Sequence, residues 1–201
     1  MTNPIADSVN AWLAADGIDR ASYLTVMRRW VGPAYAGGAD GNPVHALERG
    51  ECTSEEFERA LARELVLVTG GPVASPGLLA RMFAGSSLDE AMIGLFRRLR
   101  AAGVPTGVLS NSWGGGYPRE LFPELFDAVV ISSEVGMRKP ELRIFRHAAQ
   151  LLGLHPAECV FIDDIDANVA AAERVGFTGV LHRATEGTTE RVAELLGVSL
   201  G

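Results

Sequence analysis

Phe161-Ile162-Asp163-Asp164-Ile165-Asp166-Ala167-Asn168-Val169 is the stretch on which the fold turns. Cys159 to Ile162 forms a short apolar run, which meets two adjacent carboxylates and passes at once into a helical pattern, Asp166 to Val175. An apolar run too short for a helix, feeding an amphipathic one, is a strand followed by its crossover helix.

The same alternation extends in both directions. Val104 to Leu109, Ala128 to Ile131 and Thr178 to Leu181 are further short apolar runs. Between and after them lie the helical patterns Arg119 to Phe126, Pro140 to Leu152 and Thr188 to Leu196. Repeated strand–helix units predict a parallel sheet covered on both faces, with ligands collecting beyond the carboxyl ends of the strands. The fold class is therefore α/β, with a Rossmann-like core over residues 103–201.

Upstream of residue 103 the pattern changes. Ile5, Val9, Trp12 and Leu13 share one helical face. A second helix is expected over Asp19 to Val31, then a Gly- and Pro-rich loop from Gly32 to Pro43. Thr53 with Glu56 reads as a capping box, ahead of a stripe formed by Phe57, Leu61 and Leu65. Leu88 to Ala102 is the clearest helix, stopped by Gly103. Residues 1–102 are thus expected to be a helical region, with no convincing strand.

Composition narrows the class of function. Of 201 residues, 47% are apolar and 21% charged, the balance of a packed globular chain. A net charge of −7 argues against nucleic acid or an anionic membrane as partner. No apolar run approaches the ~20 residues of a membrane span. Met1-Thr2-Asn3-Pro4 lacks the basic and apolar regions of a signal peptide, so a cytoplasmic location is expected. Cys52 and Cys159 show no metal-ligand spacing.

Three strand ends carry chemistry. Ser110-Asn111 follows the first strand, Arg138-Lys139-Pro140 the second and Asp163-Asp164 the third. Taken singly these have plainer readings as a turn, a helix start at Pro140 and a helix N-cap. Their common position changes the weighing. Adjacent carboxylates repel and are costly to hold without a cation, and a hard oxygen-coordinated ion such as Mg²⁺ removes that cost. A hydroxyl, a lysine and a carboxylate–metal pair at one sheet edge suit a phosphoryl group.

These segments resemble motifs two, three and four of the haloacid dehalogenase superfamily, in the branch that contains the N-terminal phosphatase domain of soluble epoxide hydrolases. The resemblance covers about residues 104–182, and makes the helical first half similar to that family's inserted cap. It implies that Ser110 and Asn111 bind phosphoryl oxygens and that Lys139 holds nucleophile and phosphate together. It further implies that Asp163 and Asp164 bind Mg²⁺, with Asn168 supporting them, and that the substrate is a small phosphorylated metabolite. Dehalogenases of the superfamily lack the acidic pair, so the resemblance favours a phosphatase.

One departure bears on activity. The resemblance calls for a core strand ending in Asp-x-Asp ahead of the cap, and no such stretch precedes the first helix here. Asp7 lies in a helical pattern, Asp40 lies in the Gly-rich loop, and Asp164 to Asp166 belongs to motif four. The expectation is that the first core strand is missing and that no nucleophile is present. Either the true start lies upstream, or the chain is a noncatalytic binding protein on the same fold.

Other features are expected to be structural. His45, His147, His155 and His182 lack mutual spacing. Gly114-Gly115-Gly116 lacks the Gly-Lys-Ser/Thr ending of a P-loop. Trp113 closes over substrate or packs at the cap, and Arg97, Arg98 and Arg100 read as a solvated helix face.

Overall fold

The computed structural model describes residues 5–31 and 41–200. Most of the loop expected over residues 32–43, Asp40 included, lies outside them, as do the side chains of Ile5 and Asp7. The chain forms two units, Met1–Asp89 with Ser112–Gly115, and Glu90–Asn111 with Gly116–Gly201.

The first unit is helical, with α1 (Ile5–Ala15), α2 (Arg20–Trp30), α3 (Pro43–Glu48), α4 (Ser54–Glu64) and α5 (Leu78–Met82). Asp19 caps α2 by accepting the Ser22 N–H at 2.7 Å. The Thr53–Glu56 capping box starts α4 in both directions, at 3.2 and 2.8 Å. α5 has no local cap side chain. Instead the buried Glu58 of α4 accepts the Gly77 and Leu79 N–H groups, each at 2.9 Å, which supplies an anion where the helix end needs one. Trp12, Trp30, Phe57, Leu61, Leu78 and Met82 form the core. β structure among its described residues is confined to the isolated bridges Ile18–Leu67 and Val66–Pro72.

The second unit contains α6 (Glu90–Ala101), β1 (Gly107–Ser110), α7 (Phe122–Leu125), β2 (Ala128–Ile131), α8 (Ser132–Val135), α9 (Leu142–Leu152), β3 (Val160–Asp163), α10 (Asp166–Val175), β4 (Thr178–Leu181) and α11 (Thr185–Leu196). β1 pairs in parallel with β2, Gly107 opposite Ala128 and Ser110 opposite Ile131. β3 pairs in parallel with β4, Val160 opposite Thr178 and Asp163 opposite Leu181. Helices cover both faces. Val160 and Ile162 pack with Met92, Leu95 and Leu99 of α6 and Val192 of α11. Phe161, one residue out of phase, packs with Phe145 of α9 and with Phe177, ring centroids 5.1 and 6.4 Å away. Gly179 lets α10 approach β4, because a Cβ there would lie 2.6 Å from a Val169 methyl.

The structure differs from the sequence reading in several places. α6 belongs to the second unit, so the units divide at Asp89 and Glu90 rather than at residues 102 and 103. Its Met92, Leu95 and Leu99 face the strands, a destination that periodicity alone does not specify. β1 starts at Gly107, because Pro105 has no N–H and the Thr106 N–H is taken by Asp127 at 2.9 Å. α9 starts at Leu142, because Pro140 sits in a turn closed by the Glu141 N–H on Arg138 O at 2.8 Å. Most consequentially, the strands form two separate pairs, and no ladder joins β1 to β3 among the described residues. No helix among them is long and apolar enough to cross a membrane.

Candidate active site

The cluster is built from the carboxyl ends of β1 and β3. Ser110 ends β1 with its Oγ 2.9 Å from the Tyr117 hydroxyl. The Asn111 carboxamide then makes two bonds to one residue: Oδ1 accepts the Lys139 N–H at 2.8 Å, and Nδ2 donates to Lys139 O at 3.0 Å. This side chain does for the Lys139 loop what a neighbouring strand would do.

Lys139 donates from Nζ to Asp163 Oδ2 at 2.6 Å, and lies over the Phe161 ring at 5.6 Å. The other Asp163 oxygen accepts the Ile165 N–H at 2.9 Å and Asn168 Nδ2 at 3.0 Å. Asp163 and Asn168 are both buried. The carboxylate is therefore engaged through both oxygens, by one cation and two neutral donors.

Asp164 is in the opposite condition. It is exposed, and its carboxylate makes no hydrogen bond or ion pair among the described residues. Its backbone carbonyl accepts from Arg183, which also reaches Asp166 at 3.3 Å. One unengaged carboxylate beside a bonded one fits a weakly held Mg²⁺, an ion content with one or two protein carboxylates plus water and phosphate oxygens. Among the described residues no three His, Cys, Asp or Glu side chains are grouped closely enough to hold a metal unaided.

The structure thus brings Ser110, Asn111, Lys139, Asp163 and Asn168 into one bonded chain, with Asp164 at its exposed end. Tyr117, bonded to Ser110, and Arg183, bonded to the Asp164 carbonyl and to Asp166, lie beside them, and no motif in the sequence marks either one. Arg183 lies just past the end of β4, so the strand-end rule could have found it. Tyr117 follows the glycine run, where no periodicity marks it.

Residues set aside as structural divide. Arg97 pairs with Glu124 at 2.5 Å and Arg100 with Asp127 at 2.6 Å, so that helix face is ion-paired rather than merely solvated. His155 accepts the Ala157 N–H, and His182 bonds Thr188. Trp113 packs within the first unit.

Parallel strand pairs between helical layers, with a polar cluster at the strand ends, define a Rossmann-like α/β protein. Residues 57–176 match the haloacid dehalogenase-like hydrolases, and the chain belongs to that family. It is 33% identical over 113 residues to a sesquiterpene phosphatase of Aspergillus oryzae, covering 54% of this chain and 58% of that one. It is 30% identical over 172 residues to mouse acyl-CoA dehydrogenase family member 10, covering 83% of this chain but 16% of the relative. The chain therefore spans less than two thirds of either relative. A HAD family enzyme of Bacteroides thetaiotaomicron, crystallised with magnesium and inorganic phosphate, is 26% identical with a TM-score of 0.54. That match covers 69% of this chain and 74% of the other.

Proposed function

We propose that this protein is a Mg²⁺-assisted phosphohydrolase of small phosphorylated metabolites. The observation that carries the reading is the buried Lys139–Asp163 pair, set between the Ser110 hydroxyl and the exposed Asp164 carboxylate. Lys139 and the Ser110 hydroxyl at the end of β1 would bind the phosphoryl oxygens. Asn111 would act by holding Lys139, since its carboxamide is spent on that residue's backbone. Asp164 would hold Mg²⁺ with Asp163 behind it, and the ion would neutralise phosphoryl charge.

Phosphoryl transfer through a covalent intermediate also requires a carboxylate in line with phosphorus. Among the described residues the only aspartates at the carboxyl end of a strand are Asp163 and Asp164, and Asp163 is engaged by Lys139. The edges of β1 and β3 that no ladder occupies among the described residues suit an extended segment whose carboxyl end would emerge between Ser110 and Asp163. We place the phosphate-accepting aspartate on such a segment. The bonding state of Asp163 also favours a second reading, a noncatalytic binding protein on this fold.

Titration of inorganic phosphate in the presence of Mg²⁺, followed by ³¹P NMR, tests the site. Binding weakened about tenfold or more by Lys139→Met, the scale of one charge-assisted bond, supports it. Binding unchanged by that substitution removes Lys139 from the site and the proposal with it.

A further inference from the structure

We infer that Trp113 is a positioning residue, which fastens the loop carrying Asn111 to helices α3 and α4 of the first unit. The chain leaves the second unit after Asn111 and re-enters it at Gly116, so Ser112–Gly115 are residues of the first unit spliced into the loop after β1. Their attachment is specific. The Trp113 indole N–H donates to Glu48 Oε1 at 3.0 Å, and Glu48 is only 1% exposed. The ring makes edge contacts with Phe57 and Phe83, centroids 5.5 and 6.4 Å away.

The flanking residues stiffen this anchor. Ser112 is buried, and its hydroxyl both donates to Gly114 O at 2.9 Å and accepts the Gly114 N–H at 3.3 Å. Gly114 adopts φ 111°, in the left-handed region, and a Cβ there would stand 3.1 Å from Ser54 Oγ. Two residues upstream, Asn111 is clasped to the Lys139 backbone. A loop held at both ends across two residues has little slack, because each residue spans at most ~3.6 Å. The restraint on Trp113 is thereby passed along the chain to Asn111, and through it to the Lys139 loop.

NMR-detected hydrogen exchange on the ligand-free protein separates this role from simple packing. Glu48→Gln keeps an oxygen acceptor for the indole, whereas Glu48→Leu removes it. Glu48→Leu is expected to speed exchange of the Lys139 N–H, which bonds Asn111 Oδ1, by about tenfold, the worth of about one hydrogen bond. Glu48→Gln is expected to leave it near the wild-type rate. Trp113→Phe, which keeps a ring but no donor, provides the same test should Glu48→Leu fail to fold, and is expected to behave like Glu48→Leu. Faster exchange confined to residues 43–64 and 112–115, with the Lys139 N–H unmoved, would overturn the inference. The functional meaning rests on the phosphohydrolase reading, but the exchange test involves no phosphate, so either can fail alone.

Discussion

Lys139 Nζ stands 2.6 Å from Asp163 Oδ2, and the two side chains are 11% and 5% exposed. Asp163 ends β3, and Lys139 is joined to the end of β1 through Asn111. This ion pair therefore links the two strand pairs where, among the described residues, no backbone ladder does. It also leaves Asp164 as the exposed carboxylate of the acidic pair.

Breaking the pair from one side should be costly. Lys139→Met leaves a buried carboxylate without its cation and is expected to lower stability by about 3–5 kcal/mol. Lys139→Met with Asp163→Leu removes both charges and should recover much of that loss. Urea unfolding of the two single variants and the double variant closes the cycle. A loss of less than ~1 kcal/mol in Lys139→Met would mean the pair is solvated like a surface bridge.

Asn168 completes the Asp163 shell from the first turn of α10. Asn168→Ala should cost about 1–3 kcal/mol, since it strips a donor from a buried acceptor. Asp164→Ala, at an exposed carboxylate, should fall within about 0.5 kcal/mol of wild type. Equal losses in the two variants would show that burial does not distinguish the adjacent aspartates.

Much of this was legible in the sequence, and the reasons differ by element. The bounds of β2 and β4 follow from the sequence because each is a short run free of charged residues between turn residues. α10 was equally plain, since Asp166 opens it and Gly176 closes it with φ 109°. α3 escaped notice because six residues are too few to show a 3.6 period. Which strands would pair was beyond reach, because ladder partners are chosen by distant residues rather than by local pattern. The candidate site residues stand out in the sequence only by their place after strands. Their bonds do not, since the Asn111 clasp on Lys139 depends on a turn that only the folded chain forms.

Mg²⁺ should bind weakly and through Asp164. Calorimetry is expected to show a low-affinity event in wild type that Asp164→Ala abolishes. Tight binding that survives Asp164→Ala would place the ion elsewhere.

Acid should erode one tie of β1. The Arg100 guanidinium, together with the Thr106 N–H, holds the Asp127 carboxyl below its ordinary value of 3.8. A depressed carboxyl stabilises the fold above its unfolded value, and the contribution disappears as pH falls through the folded one. Asp127→Asn should therefore melt below wild type at neutral pH, with the gap narrowing as pH drops under 3.8. Because Asp127 is partly exposed, added salt should narrow the gap as well. A gap that persists in acid would assign the effect to packing rather than charge.

The central claim is that this strand-end cluster binds and activates a phosphoryl group but takes its nucleophile from a further strand. Hydrolysis of p-nitrophenyl phosphate with Mg²⁺, compared between the 201-residue chain and one extended at its N-terminus by an apolar strand ending in Asp-x-Asp, tests it most directly. No turnover above background is expected of the first. Turnover is expected of the second, lost on replacing the first aspartate of the added motif by Asn or on Lys139→Ala. Turnover by the 201-residue chain that Asp164→Asn abolishes, or none from the extended chain, would contradict that claim.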